Sequence, residues 1–503
     1  MARAVGGRSW LGVTLGLTLK TLAIAAMIAL PVLGVWVASS LAALRHGPVW
    51  LALLAGLFAC PVLPVSWELW SAWRRSKRAK AAARILALSD RLILRTLALN
   101  VVFLSALLAT KPSAAFTALS ARGDWMLDGR HDTWTRSARA ALFAAAAKLE
   151  WLYLAAHDNP FKKATPEPEP QPTRSRIPPP GSSPSSTSLP TPSSTPVPTP
   201  APSEQVNAPS APQAPSWPVG KELDPNVAAM PASAETTIQG VADYIRQRVP
   251  APFARLKAVH DWVADRVAYD AASYLARSIP AQDAATVFRT RTSVCAGYAN
   301  LLEALGRAAG LEVLYLTGDA RTLGNDLNGQ SHAWNAARID GKWYLIDATW
   351  DSGVLDGSHF RKRYSTEYFL TPPRVFNVDH LPDDAKWQLL AQPLSRGEFL
   401  RQPALTPLFF ARGLQLVSPD RSQVDVRGSL EIQLGNPEHV FLLATYEPRD
   451  NPGVDADCDV DNGDAPHIVC RFARPGRYDV KLYSNREANG TFEFTGQLQA
   501  NAN

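Results

Sequence analysis

The chain has 503 residues and a modest net charge of +6, from 51 Lys and Arg against 45 Asp and Glu. This length is typical of about three folded units of ~150 residues each. Many of the basic residues lie between Arg74 and Arg91, beside apolar runs, and no basic stripe interleaved with aromatic residues follows. The distribution therefore favours contact with a membrane surface and argues against nucleic-acid binding.

Two uncharged runs occupy the start of the chain, residues 21–44 and 47–67. Each is long enough to cross a hydrocarbon core of ~30 Å as a helix, although Pro61 and Pro64 would kink the second. A third run, 93–110, is shorter and contains an arginine that would have to extend to one interface. We predict a membrane region over residues 1–111 with two to three transmembrane helices.

The loop between the second and third runs is strongly basic. Its charged residues are Arg74, Arg75, Lys77, Arg78, Lys80, Arg84 and Arg91, against Glu68 and Asp90. Because cytoplasmic loops are enriched in Lys and Arg, this loop is predicted to be cytoplasmic. Three crossings then place everything after Lys111 outside the cytoplasm, and the opposite holds if residues 93–110 do not cross.

Two segments separate the membrane region from the later part of the chain. Residues 112–163 contain an alanine-rich helical pattern and are interpreted as a helical stalk. Residues 164–218 are rich in Pro, Ser and Thr and have no apolar periodicity, so they are predicted to be a disordered, extended linker.

The remaining sequence divides into two folded units. Residues 219–395 have mixed character, with helical patterns over 235–248 and 253–267, a further helix from Cys295 and a strand over 312–316. Residues 400–503 predict a β-sandwich, because short alternating segments are separated by turn signals. The predicted strands are 413–417, 429–434, 440–446, 467–472, 478–483 and 491–497. The fold class is therefore α+β.

The four cysteines differ in context. Cys295 begins a helical pattern that stops at Gly310, with Ser293 as a candidate N-cap. A thiol in the first helical turn is stabilised as a thiolate by free N–H groups and the helix dipole; the alternative is a buried, inert cysteine. Cys60 lies in an apolar run and is interpreted as a small lipid-facing or packing residue. The other two, 458 and 470, are close enough in sequence for a disulfide without requiring one.

A histidine and an aspartate are predicted to meet on one face of a β-hairpin. The Asp-Gly pair at 340–341 lies between two strand-like runs and is typical of a two-residue turn. Extending that register pairs Trp334 with Asp347 and places His332 and Asp347 as diagonal neighbours on the same face. Together with Cys295, they supply the thiol, imidazole and carboxylate of a nucleophilic cysteine site.

No metal or other cofactor is predicted. Neither a His-x-x-x-His nor a Cys-x-x-Cys spacing occurs, and a metal centre needs several ligands. An aspartate-rich loop at 455–464 could bind calcium, but Asn462 stands where an EF-hand loop requires glycine. A solvated acidic loop is the favoured interpretation.

Residues 236–390 resemble the transglutaminase-like superfamily, which has a papain-like cysteine fold. The resemblance rests on residues 292–299, 331–335 and 343–350, and on 260–270 with its Tyr-Asp pair. The later segments 368–373 and 380–390 resemble the kyphoscoliosis-peptidase branch. In that branch an immunoglobulin-like domain often follows the core, which agrees with the strand pattern of residues 400–503.

The resemblance implies a role for each site residue. Cys295 matches the nucleophile, His332 the general base and acid, and Asp347 the residue that orients the imidazole. A glutamine carboxamide or peptide carbonyl would form a thioester, which an amine or water resolves by crosslinking, deamidation or hydrolysis. The Cys295 N–H is the expected oxyanion donor.

Other aromatic and histidine residues are assigned with less specificity. Trp262 and Tyr269 lie either near the site or in the core. His260, His359 and His380 are expected to be structural or exposed rather than catalytic.

The sequence thus predicts a membrane-anchored, multi-pass enzyme whose extracytoplasmic catalytic domain acts on protein or peptide substrates. The alternative is a scaffold or adhesion protein that retains the site but turns over little. The oligomeric state and the choice among crosslinking, deamidation and proteolysis are left open.

Overall fold

The computed structural model describes residues 10–45, 49–77, 87–128, 130, 132–156, 159–162, 214–322 and 329–503. Most of the predicted linker, 164–213, and part of the predicted basic loop, 78–86, lie outside the described residues, as does the side chain of Cys60. The first part of the chain is helical. Its helices are α1 (Trp10–Leu44), α2 (Val49–Leu57), α3 (Leu63–Ser76), α4 (Leu88–Thr110), α5 (Pro112–Arg122), α6 (Thr133–Ala147) and α7 (Glu150–Ala156).

Two helices in the described part of the chain are long and apolar enough to cross a membrane, Met27–Leu44 within α1 and the whole of α4. The predicted second run is divided among α2, a π-helical turn at Phe58–Val62 and α3. The proline inside this turn has no N–H to donate, so the regular helical hydrogen bonding cannot continue through it. Arg95 of α4 forms an ion pair with Glu68 of α3, instead of extending alone to an interface.

The predicted stalk is packed against the later part of the chain. Phe116 of α5 and Tyr153 of α7 share a buried cluster with Leu381 and two residues of a helix near position 400. Arg401 donates to the backbone oxygen of Ser120 at 2.5 Å. Helices α5 and α7 are therefore docked on the second half of the molecule.

The mixed unit consists of helices around a five-stranded antiparallel sheet. Its helices are α8 (Pro225–Ala228), α9 (Ile238–Arg248), α10 (Pro252–Arg266), α11 (Ala271–Leu275), α12 (Ala284–Thr290), α13 (Cys295–Ala308) and α14 (Pro373–Phe376). Its strands are β1 (Ala268–Tyr269), β2 (Thr292–Ser293), β3 (Glu312–Ala320), β4 (Gln330–Ile339), β5 (Lys342–Ile346), β6 (Gly353–Asp356), β7 (His359–Lys362), β8 (Phe369–Thr371) and β9 (His380–Pro382). The sheet order is β8-β5-β4-β3-β9.

Helix α13 packs between the other helices and this sheet. Leu301, Leu302 and Leu305 project from it into the main core, which also contains residues of α9 and α10. The side chain of Asn335 on β4 donates to the carbonyl oxygen of Ala299 at 2.9 Å and so ties the helix to the sheet. These contacts hold the start of α13 beside the central strands.

The predicted hairpin register is confirmed along β4 and β5. Ile339 pairs with Lys342 and Asn335 with Ile346. Asp340 and Gly341 both have positive φ, of 50° and 78°, as a tight two-residue hairpin turn requires. Because β5 ends at Ile346, the outer pairs of the predicted register are not part of the ladder.

The chain ends in two antiparallel-rich sheets that share one apolar core. The elements are α15 (Arg396–Arg401), β10 (Ala404–Leu405), α16 (Pro407–Ala411), β11 (Gln415–Ser418), β12 (Gln423–Val426), β13 (Ser429–Gly435), β14 (Phe441–Pro448), β15 (Ala456–Asp457), β16 (Asp459–Asp461), β17 (His467–Arg471), β18 (Gly476–Asn485) and β19 (Glu493–Ala502). Cys458 and Cys470 form a disulfide inside this core. In the acidic loop, Asp455 and Asp459 form ion pairs with Lys481 and Arg471.

Candidate active site

Cys295 is the first residue of α13, as the helical pattern predicts. The N-cap is Val294, which offers no side-chain hydrogen bond, so the prediction of Ser293 as N-cap is wrong. Ser293 instead lies in β2, where it pairs with Tyr269 of β1, and its hydroxyl donates to Gln282 at 3.0 Å. The backbone N–H of Val294 donates to Gln282 at 3.1 Å, and no N-cap side chain accepts from the N–H groups of the first turn of α13.

His332 and Asp347 meet at the far end of the hairpin. His332 lies on β4, Asp347 directly follows β5, and the His332 Nε2 to Asp347 Oδ2 distance is 2.7 Å. The second imidazole nitrogen, Nδ1, is not used by this contact, and the sulfur of Cys295 lies close enough to raise the pKa of His332. All three side chains are almost fully buried. The structure thus brings the three residues singled out in the sequence together, with a hydrogen bond between His332 and Asp347.

The electrostatic environment favours a charged imidazole. Burial opposes charge on His332, but the carboxylate of Asp347 and then the sulfur of Cys295 outweigh it and raise the pKa of His332 to about 10. Burial alone would raise the pKa of Asp347, yet His332, followed by His380, holds it well below its usual range. The pair is therefore an imidazolium and a carboxylate at neutral pH.

Four donors hold the Asp347 carboxylate. Its Oδ1 accepts from the backbone N–H groups of Thr349 at 2.8 Å and Trp350 at 3.3 Å. Its Oδ2 accepts from His332 and also lies 3.1 Å from Nε2 of His380. Both oxygens of the carboxylate thus accept hydrogen bonds, and the side chain is fixed in the orientation that accepts from His332.

His380 is the site residue that the sequence interpretation did not identify. It was grouped with structural or exposed histidines, and it is fully buried in contact with Asp347. It reaches the site because β9 pairs with β3, where Gly318 lies opposite Pro382. A Cβ at Gly318 would overlap the backbone of Leu381, so glycine is required for this approach. The available signal was an Asp-His pair followed by the short apolar dipeptide Leu381-Pro382.

The other aromatic and histidine residues considered in the sequence lie in different environments. Trp262 is in the core, stacked on Phe288 with ring centroids 5.4 Å apart. Tyr269 packs against the cluster that contains Cys295. His260 is buried between two carboxylates of its own network, and His359 is exposed on β7.

The site is covered in this structure. Cys295 is 2% exposed and His332 7% exposed. Phe161, Tyr274 and Tyr315 pack against the cysteine and its neighbours. A macromolecular substrate can reach the thiol only if part of this cover moves.

His332, Asp347 and His380 also form a group of possible metal ligands, with ligand atoms within 4.8 Å of one another. Two imidazoles and a carboxylate would suit a zinc-like ion. However, the nitrogens concerned already face the Asp347 oxygen at hydrogen-bond distance. Hydrogen bonding accounts for the arrangement.

Comparisons with known proteins place the central part of the chain. Residues 239–348 match the family model of the transglutaminase-like superfamily. Kyphoscoliosis peptidase of Homo sapiens is 31% identical over 207 residues, 40% of this chain and 31% of that protein. The Mus musculus protein of the same name is 30% identical over 217 residues, 41% of this chain and 33% of that protein.

Among solved structures, that of a TGase is 21% identical and covers 24% of this chain and 32% of that chain, with a TM-score of 0.19. The chain spans about a third of the length of the curated relatives it matches.

Proposed function

Because the central part of this chain is transglutaminase-like, we propose that the chain is a cysteine enzyme that acts on protein or peptide substrates. Cys295 is the nucleophile, His332 the general base and acid, and Asp347 the residue that orients His332. The observation that carries this proposal is the 2.7 Å contact of His332 Nε2 with Asp347, which leaves Nδ1 for the thiol at the start of α13.

The proposed reaction passes through a thioester. The Cys295 thiolate adds to the carbonyl carbon of a carboxamide or peptide bond, and the oxyanion is stabilised by N–H groups at the start of α13. The C–N bond breaks as the His332 imidazolium gives its proton to the departing nitrogen. An amine or water then attacks the thioester, His332 takes its proton, and the cysteine thiolate is released.

The acceptor decides the outcome. A lysine amine gives a crosslink, water at a glutamine carbonyl gives deamidation, and water at a peptide carbonyl gives hydrolysis. The triad is the same for all three reactions.

We also propose membrane anchoring with an extracytoplasmic catalytic unit over residues 219–395. Two apolar helices of sufficient length support the anchor. The Cys458–Cys470 disulfide supports an oxidising compartment for residues 400–503, the proposed immunoglobulin-like sandwich. A reporter enzyme fused after Pro218 should be active only outside the cytoplasm; activity inside would refute this topology.

Mass spectrometry of candidate substrates tests the activity. Wild type and Cys295→Ala are incubated with glutamine- and lysine-containing proteins, and new isopeptide bonds, deamidated glutamines and cleaved peptides are counted. Products of one kind that require Cys295 identify the reaction. Equal products from both proteins refute the enzyme proposal.

The burial of the site favours one second candidate, a scaffold that turns over little. Cys295 is 2% exposed, which would suit a thiol that seldom meets substrate. Alkylation separates the two candidates. An enzyme is expected to react with iodoacetamide at pH 7 faster than a free thiol does, and to lose that excess in His332→Ala.

A further inference from the structure

His380 occupies a buried position between two carboxylates. Its Nε2 is 3.1 Å from Oδ2 of Asp347, and its Nδ1 is 2.6 Å from Oδ1 of Asp379. The other oxygen of Asp379 accepts from the hydroxyl of Tyr368 at 2.5 Å. A continuous chain of hydrogen bonds therefore runs from Tyr368 through His380 and Asp347 to His332.

We propose that His380 is a positioning residue, whose Nε2–H holds the Asp347 carboxylate towards His332. The proposal rests on the proposed function of the triad. Without this donor, Oδ2 of Asp347 would keep only His332 as a partner, and the carboxylate could rotate about its remaining contacts to backbone N–H groups.

Three aromatic side chains pack around the imidazole ring of His380. The ring centroid of His380 lies 4.2 Å from that of Phe376, 4.5 Å from Trp350 and 5.1 Å from Trp334. Among the described residues, the only hydrogen-bond partners of the His380 side chain are the carboxylates of Asp347 and Asp379. The ring therefore presents one nitrogen to each carboxylate.

The charged and titratable groups that face His380 are Asp347, Asp379, His332 and Tyr368. Burial opposes charge on the ring, but Asp379 and then Asp347 raise the pKa of His380. Each ring nitrogen faces a carboxylate oxygen, which only accepts, and the raised pKa favours the imidazolium in which both nitrogens donate.

Two amide variants test the two hydrogen bonds of the His380 ring separately. His380→Gln places an amide nitrogen near the Nε2 position and keeps the donor to Asp347. His380→Asn places its amide near the Nδ1 position and keeps only the donor to Asp379. Both variants remove the imidazole ring. If His380 had only a structural role, the two variants should therefore change the reactivity of Cys295 equally.

The readout is the rate of Cys295 alkylation by iodoacetamide in the full chain in detergent, measured from about pH 5 to about pH 10. A Cys60→Ala background removes the one cysteine of the sequence besides Cys295 and the Cys458–Cys470 pair. We expect His380→Asn to lower the plateau rate about tenfold and to move the basic limb, which reports His332, to lower pH. His380→Gln should stay within about threefold of the parent.

Equal rates and equal pH profiles for the Gln and Asn variants would overturn the proposal. A parent protein whose cysteine reacts no faster than a free thiol would instead refute the proposed function of the triad. The two failures are therefore distinguishable.

A separate observation concerns the cover segment, residues 159–162, which packs over the cysteine. The side chain of Asn159 is buried and donates to the carbonyl oxygen of Gly318 at 3.1 Å. Tyr315 donates its hydroxyl to the carbonyl oxygen of Phe161 at 2.6 Å. The Phe161 ring packs on the cluster that contains Cys295.

The geometry points to an autoinhibitory contact, in which the cover segment must leave before a macromolecular substrate binds. The segment follows α7, which is docked on the catalytic unit through Tyr153. Among the described residues, three hydrogen bonds hold the segment, two from the Asn159 side chain to Gly318 and Asp383 and one from Tyr315. With the Phe161 side chain, these contacts are few enough for local opening without unfolding of the core.

Labelling with a bulky maleimide at about pH 8.5 tests this contact, because ordinary thiols also react there and accessibility alone is measured. In the Cys60→Ala background, Phe161→Ser should raise the rate about tenfold. Tyr315→Phe should change it in the same direction. The control Trp151→Ser alters a residue that is 63% exposed on α7 and should have no effect. Unchanged rates in Phe161→Ser and Tyr315→Phe would overturn the inference.

Discussion

Replacement of Asp347 by asparagine tests the proposed site most directly. The variant keeps the shape of the side chain and an oxygen for the N–H groups of Thr349 and Trp350. It replaces Oδ2, which faces Nε2 of both His332 and His380, by an amide NH2 group. The N–H of the new amide then faces the N–H of His332 Nε2, and two donors cannot bond to each other. His332 is therefore driven to the tautomer that carries its proton on Nδ1. In that tautomer Nδ1 cannot accept the proton of the thiol.

The magnitude follows from the charge that is removed. The rise in the pKa of His332 from 6.5 to about 10 corresponds to about 5 kcal/mol of preference for the imidazolium. Burial works against this rise, and Asp347 makes the largest favourable contribution. If the variant loses about half of this free-energy preference, the population of the imidazolium–thiolate pair falls by about 30- to 100-fold.

The assay is again alkylation of Cys295 in the Cys60→Ala background. Asp347→Asn should lower the rate at about pH 8 by about 30- to 100-fold, and by less at about pH 6, where His332 still binds a proton. Asp356→Asn is the matched control, since Asp356 is exposed on β6. If Asp347→Asn stays folded and has the rate and pH profile of the parent, Asp347 does not orient the base and the proposed triad is wrong.

Three further predictions concern stability. Cys458→Ser opens the disulfide to Cys470, which has a sequence separation of 12, and should cost about 3 kcal/mol; calorimetry should give the same loss when the wild type is reduced. Burial opposes charge on His260, but its two carboxylate neighbours raise its pKa to about 9. Because the folded value lies above the unfolded 6.5, its contribution is complete below about pH 6.5 and is lost as the pH rises through about 9; thermal melts of His260→Gln should lack this decline. Gly297→Ala puts a methyl group of α13 against the side chains of Ser293, Val287 and Gln282 and should cost about 1–3 kcal/mol in urea unfolding, whereas Gly463→Ala faces open space and should be neutral.

Local patterns predicted the parts of the site that local geometry determines. The Asp-Gly turn at 340–341 dictates the register of β4 and β5, and this register brings His332 and Asp347 to the same end of the hairpin. The helical pattern likewise predicted where α13 begins. Ser293 was misassigned because its pairing with Tyr269 depends on a parallel contact between segments 24 residues apart, which no local pattern reports.

Long-range pairing explains what the sequence did not predict. All six strands predicted after residue 400 have counterparts, whereas β10, β12, β15 and β16 are only two to four residues long and were not predicted. Their alternation is too short to be recognised, and they exist because longer strands pair with them. His380 belongs to the same class, since its place beside Asp347 depends on β9 joining β3.

The covering of the site bears on which acceptor would resolve the proposed thioester. With Cys295 2% exposed and Phe161 packed against its cluster, bulk water has little access to the sulfur in the closed arrangement. A substrate that displaces the cover segment replaces it over the same surface, so the thioester would form under a lid made by the substrate itself. Water exclusion then favours an amine that enters with a protein partner. A loosely bound substrate leaves the thioester open to hydrolysis. The fit of the substrate to the surface vacated by residues 159–162 would therefore set the ratio of crosslinking to hydrolysis, while the triad stays the same.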